Sequence, residues 1–293
     1  MKYRILSLFL TLAFGGASHV ALGQVQNEEW LHHFLDQLDP ESEVINQIQA
    51  LGKDPFSEDV IATAANHFRT REALTSLWVI AGDATASERD IELSEKAIQH
   101  IITDRSGEFP LPDNLPWFNA PEKLLTLSRF PHFDYLTRSY SSTKDERYAA
   151  AMVRDMMDFV KNVPLSKSVD YHVQVAANIN PWNWVLLQWR VKRWIDVLAH
   201  LRESPSLSDE DYLRILSYIW DEVDWLLPRK VLGLHNGSLG NSSTILYASL
   251  QYPEARSAAT WEQDSTFYLD SFLDSAFYPR EFLVELTLGY SEG

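Results

Sequence analysis

TKDERYAAAMVRDMMDFVKNVP, residues 143–164, is the stretch on which the fold turns. Ala149, Met152, Val153, Met156, Phe159 and Val160 follow at helical steps, so one apolar face runs for about four turns. Thr143 and Glu146 precede it as a capping-box pair, and Pro164 ends it. The same grammar recurs outward in both directions. Thr85 and Glu88 precede Ile91, Leu93, Ile98, Ile101 and Ile102. Ser208 and Asp211 precede Ile215, Leu216, Ile219, Trp220, Val223 and Leu227. Pro181 fits the first turn of a helix carrying Val185, Leu186, Trp189, Trp194, Ile195, Val197 and Leu198. Ser57–Thr70, Leu239–Leu250 and Ser257–Phe277 read as helices too. Short polar or Pro-containing loops join them, which predicts antiparallel helical hairpins. No run alternates with a strand's period of two, and no sequence repeat is visible, so any repetition is structural. Pro110–Pro116 cannot be regular helix. It is either a domain boundary or a long functional loop within one helical domain, and the second reading is preferred.

Composition agrees with a packed helical protein. The 293 residues are 45% apolar and 23% charged, which excludes wholesale disorder. Eleven glycines are few for a turn-dense β-sandwich. With no cysteine there is no disulfide, thiolate metal site, Cys nucleophile or lipidated Cys. A net charge of −16 argues against nucleic acid as a partner.

The amino terminus reads as an address. Lys2 and Arg4, the apolar run Ile5–Phe14 and the small residues ending at Ala21-Leu22-Gly23 form a secretory signal peptide over residues 1–23. The alternative is an N-terminal membrane anchor, but the run is shorter than the about 20 residues that span a bilayer. The expected mature chain, residues 24–293, loses Lys2 and Arg4 and carries −18. It has no membrane partner and is expected in the periplasm or secreted.

Motifs for metals and common cofactors are absent. The nine histidines are scattered with no His-x-x-x-His, and no Gly-x-Ser-x-Gly, P-loop or dinucleotide fingerprint occurs. No metal and no cofactor is expected. Gly233–Gly240 is Gly-rich but follows no strand, so phosphate cradling is discounted. More informative is tryptophan: Trp182, Trp184, Trp189 and Trp194 fall in one short stretch with Arg190, Lys192, Arg193 and Arg202, against one acid, Asp196. Indole faces stack on sugars or fill helical cores. The basic residues form either a patch for an anionic sugar or a solvated helix face.

Read together, these stretches resemble the N-terminal helical domain of heparinase II/III-type polysaccharide lyases. The likeness rests on Asn114-Leu-Pro-Trp117, Leu127-Ser-Arg129, Ser142-Thr-Lys-Asp-Glu-Arg-Tyr148, and Trp182 followed by Arg190 and Trp194. It continues with His235-Asn236, Tyr252-Pro253-Glu254 and Glu285-Leu-Thr-Leu-Gly-Tyr290. The resemblance implies an all-α, incomplete (α/α) toroid of antiparallel helical hairpins over 24–293, less clearly over 24–110. It also implies a β-sandwich domain beyond this chain, which ends three residues after Tyr290. That domain would hold the family's catalytic His and any metal ligands. The implied reaction is β-elimination on a uronate-containing anionic polysaccharide of the heparan sulfate or alginate class. Asn236 would donate to the substrate carboxylate, and Tyr290 would be base at C5, acid at the leaving oxygen, or both. Arg129, Arg190, Trp117, Trp182 and His235 would bind substrate. Three positions depart from the family: Ser291 stands where a His follows the Tyr, Gly237 where Trp or His follows the Asn, and Pro279-Arg280 replaces Asp-Gly before Glu281. Two other functions remain open from the residues. One is a non-catalytic exported glycan-binding helical domain. The other is a glycoside hydrolase, which needs paired carboxylates, with Asp196, Asp221 and Asp224 as candidates.

Overall fold

The computed structural model describes residues 20–71, 85–104, 107–112, 115, 117, 127–163, 184–229 and 236–276. Among them are ten α-helices. They are α1 (Val20–Gln37), α2 (Glu43–Leu51), α3 (Glu58–Thr70), α4 (Glu88–Ile98) and α5 (Phe133–Thr143). Then come α6 (Glu146–Asn162), α7 (Trp184–Leu201), α8 (Asp209–Leu226), α9 (Asn236–Gln251) and α10 (Ala258–Ala276). A 3-10 turn, Leu127–Arg129, precedes α5.

Local chemistry sets the helix ends, with two shifts from the sequence reading. Ser208 caps α8 as expected, its side chain accepting from the Asp211 N–H. The box opening α4 is Ser87 with Asp90, not Thr85 with Glu88. Thr143 closes α5 instead of opening α6. Lys144 takes a left-handed φ of 56°, and Asp145 caps α6 by accepting from the Arg147 N–H. A third difference is a hairpin the sequence did not announce: β1 (Ile101–Asp104) pairs antiparallel with β2 (Gly107–Pro110), Ile102 opposite Phe109. Helix α4 stops at Ile98, and His100 turns the chain at φ 60°, so Ile101 and Ile102 are strand. Expected helix 257–277 begins at Ala258 and ends at Ala276. Pro181 and the end of the expected Pro164 break lie outside the described residues, but α6 does end at Asn162.

The helices alternate in direction. Thr137 meets Met152 and His132 meets Asp155, so α5 and α6 form an antiparallel hairpin. Asp134 contacts Arg193 and Ser141 contacts His200, which sets α5 and α7 parallel. Lys192 meets Ser243 and Asp196 meets Tyr247, so α7 and α9 are parallel in turn. Each of these helices opens a hairpin whose second member returns beside it. The repeat is therefore one of position, which explains its absence from the sequence.

One continuous core fills the array. Phe130, Phe133, Phe159, Trp194 and Tyr218 pack edge-to-face or tilted at its centre, and Phe34, Phe68, Trp220 and Tyr252 form a second aromatic group. Helix α8 is the axis of this packing. Twelve of its 18 residues are buried, and it touches α1, α3, α6, α7 and α9. Helix α1 runs from Val20 across the Gly23–Gln24 junction. No helix among the described residues is long and apolar enough to cross a membrane.

Candidate functional site

Helix α7 carries two arginines one turn apart, and each reaches the same 3-10 turn. Arg190 is fully buried. Its Nε donates to Glu222 Oε1 at 2.8 Å, and its Nη1 donates to the Ser128 carbonyl at 3.0 Å. The guanidinium also lies 4.5 Å from the Phe159 ring centroid. Arg193 grips Asp134 with two donors, at 2.7 and 2.9 Å, and gives a third to the Arg129 carbonyl at 3.0 Å. Burial pushes the Glu222 carboxyl upward, against the pull of Arg190.

The turn so held presents Arg129. Its Nε is buried and has no hydrogen-bond partner. Burial, then the charge of Arg193, lowers its pKa. No carboxylate pairs with it among the described residues.

On the opposite flank of α7 a polar seam joins α9. Gln188, Lys192 and Asp196 stand one turn apart along it. The Lys192 ammonium donates to Ser243 at 3.1 Å, and Tyr247 donates to Asp196 at 2.6 Å. Burial depresses the Lys192 pKa to about 7. At Gly240 a β-carbon would lie 1.9 Å from Gln188 Oε1, so the end of the Gln188 side chain would have to turn aside.

Asn236 is the first residue of α9, and Tyr252-Pro253-Glu254 follows its last. The helix has 16 residues, so these two pieces of the resemblance stand about 24 Å apart. The carboxyl end is a closed structural joint. Glu254 receives two bonds from Arg71, at 2.9 and 2.7 Å, and contacts His67 at 3.2 Å. Arg71 stacks 4.9 Å from the Tyr252 ring centroid, and Tyr252 is buried. The backbone there is tied to the end of α1 through Asp39 N–H to the Glu254 carbonyl and Arg256 N–H to the Gln37 carbonyl.

The other expected site residues divide. Trp117 is buried, with its ring on Phe130 and Phe159 and its indole N–H donating to Asp158 at 2.7 Å. Trp194 is a core residue, and Trp189 is 37% exposed. Tyr290, Trp182 and His235 lie outside the described residues. The basic stretch on α7 forms neither a patch nor a solvated face, because Arg190 and Lys192 turn inward and Arg193 is paired. The hydrolase candidates are all engaged. Asp196 takes the Tyr247 hydroxyl, Asp221 takes Gln37 and His33, and Asp224 takes the Trp261 indole. A recess of about 200 Å³ beside Asp224 is lined by Asp36, Gln37, Trp220 and Trp261. No group of three metal-binding side chains occurs among the described residues.

Glu222 and Asp134 are the residues that the sequence reading passed over. A signal for the first was present. Arg190 shares its stripe with Trp194, Val197 and Leu201, and Glu222 shares one with Ile215, Ile219 and Leu226. Opposite charges on two apolar stripes point to a buried pair. Nothing in the spacing of Asp134 and Arg193 announces their contact.

Comparison with known proteins adds the family. The family described as Heparinase II/III N-terminus matches residues 34–293. A heparin-sulfate lyase of Bacteroides stercoris is 20% identical over 241 residues, which are 75% of this chain and 35% of that protein. A solved mutant of the heparan sulfate lyase HepC from Pedobacter heparinus superposes with a TM-score of 0.75 at 19% identity, over 89% of this chain and 42% of that one. A heparinase III crystal structure gives 0.74 at 14% identity, over 88% and 40%. These likenesses establish the fold: the expected (α/α) toroid of hairpins is the helical arrangement found. The chain spans about a third of the length of the curated relative and about two fifths of the solved ones.

Proposed function

We propose, from the premise that this chain belongs to the heparinase II/III family, that it is the helical part of a polysaccharide lyase acting on a uronate-containing anionic glycan by β-elimination. The family match over residues 34–293 carries this reading. In that reaction the C5 proton of the uronate leaves, the bond from C4 to the leaving oxygen breaks, and a C4–C5 double bond forms. The C5 proton is weakly acidic, so charge must spread into the neighbouring carboxylate in the transition state. Asn236, at the head of α9, is assigned to donate to that carboxylate. Tyr290 is assigned to move the proton. A free phenol has a pKa near 10, so it needs cationic neighbours to act as a base near neutral pH. Arg129 is assigned to hold an anionic group of the substrate. Arg190 and Trp117 support the site from within, since both are buried.

The protein is proposed to be exported through residues 1–23, to the periplasm or beyond. A chain of −16 repels a polyanion at long range, but screening over about 8 Å lets a local cation prevail at contact. The test is the ultraviolet chromophore of the unsaturated uronate product. The chain, alone and together with the remainder of a family lyase, is incubated with heparan sulfate and with alginate. Product is expected, with a loss of about a hundredfold or more in Asn236→Ala. Absence of product from every uronate polymer in both arrangements contradicts the lyase. Glycan binding that persists in Asn236→Ala and Tyr290→Phe, without product, makes it a binding domain.

A further inference from the structure

The two arginines of α7 do more than fill the interior. Both end on backbone carbonyls of one turn, Ser128 for Arg190 and Arg129 for Arg193. Each is itself fixed by a carboxylate from a different helix, Glu222 of α8 or Asp134 of α5. The turn leaves through Phe130, whose φ of 54° is a left-handed conformation that a bulky residue rarely takes. Such a conformation persists where the surroundings over-determine it. Phe130 is fully buried among Trp117, Phe133, Phe159 and Trp194. At the centre of this restraint stands a cation that it does not pair, the Arg129 guanidinium, with a buried and unbonded Nε.

We propose that Arg190 and Arg193, locked by Glu222 and Asp134, are a two-point clamp on the 127–130 turn that aims Arg129 at a carboxylate or sulfate of the glycan. This rests on the uronate-glycan reading above. An arginine on a loose loop loses backbone freedom when it binds an anion, whereas a clamped turn has already lost it. Arg193 is already neutralised by Asp134 and bonded to the Arg129 carbonyl, so its part is to hold the turn. Arg193, Asp134, Arg190 and Glu222 are positioning residues, and Arg129 is the group that meets the ligand.

The test uses the full chain and two readouts. The first is the Nε–H resonance of Arg129, assigned through Arg129→Lys and titrated with sodium sulfate. The second is calorimetric affinity for heparan sulfate oligosaccharides at fixed salt. Arg193→Ala and Asp134→Asn are compared with Arg193→Lys, with a melting curve to show that each variant is folded. In Arg193→Ala the Arg129 signal is expected to exchange faster with water and to lose its sulfate response, and glycan affinity to fall about tenfold. Arg193→Lys, which retains a donor for the carbonyl, is expected to recover part of both. In an Arg129→Ala background, Arg193→Ala is expected to cause no further loss, because it acts through Arg129. A full additional loss in that background overturns the clamp. So does an Arg129 resonance that is the same in the wild-type chain and Arg193→Ala. If the wild-type chain binds no uronate glycan, the functional reading fails, while the resonance and its sulfate response still decide the clamp.

Discussion

Helix α9 has two ends that the family likeness treats as one segment, and they do different things. At the carboxyl end the two part-buried arginines of the joint, Arg71 and Arg69, are held in ion pairs, while Arg256 is exposed. Arg71 is taken by Glu254, and Arg69 by Asp209 and the carbonyls of Arg202 and Leu207. That end fastens α1 and α3 to the corner between α9 and α10. The amino end lies alongside the amino-terminal half of α7, where Arg190 and Arg193 are also satisfied but Arg129 is not. Both regions use arginine–carboxylate pairs as struts; the cation left over at the amino end, Arg129, is partly buried, whereas Arg256 at the carboxyl end is exposed. Burial and pairing together separate the arginines that build from the one proposed to meet a ligand.

The largest effect expected is at the strut beneath the amino-end region. Glu222→Ala takes the carboxylate from the buried Arg190, and urea unfolding should show a loss of about 3–5 kcal/mol. Replacing both members, Arg190→Met with Glu222→Leu, should restore most of that stability while weakening glycan binding. Equal stability of the single and double variants would break the strut reading. At the carboxyl end, Glu254→Ala strips Arg71 and His67 of their acceptor. About 2 kcal/mol of stability should go, as for hydrogen bonds between charged groups, with glycan affinity unchanged. A drop in affinity there would erase the contrast between the ends.

The smallest effect lies in the seam between them. Lys192 has a folded pKa of about 7, against 10.5 for a free lysine. Between those values the unfolded chain holds more protons, so stability should rise with pH there. From pH 7 to pH 9 the gain should be about 1–2 kcal/mol, and Lys192→Met should flatten it. A chain whose stability is level over that range in both forms would place Lys192 in solvent.

The hairpin architecture was legible because apolar stripes and caps are local signals. Ser208 with Asp211, and the stripe from Ala149 to Val160, carried it. Caps slipped where two candidates competed. Asp145 displaced Thr143 because Thr143 was needed to finish α5, and a turn at Lys144 separates the two helices. The β-hairpin was hidden because Ile98, Ile101 and Ile102 keep helical spacing, and only the left-handed His100 breaks it. At the site, counting charges on α7 suggested an exposed basic patch. Burial is a property of neighbours, and the neighbours of Arg190 come from α8 and from the 3-10 turn, 32 and 62 residues away in sequence. Arg129 was found through resemblance alone. Its lack of a partner is a fact of three dimensions.

The contrast between the two ends is tested most directly by amide hydrogen exchange with and without a heparan sulfate oligosaccharide. The account predicts added protection over 127–133 and at the start of α9, 236–241, with none over 252–257. Protection centred on 252–257, or no change at either end of α9 in a complex shown to have formed, would contradict it.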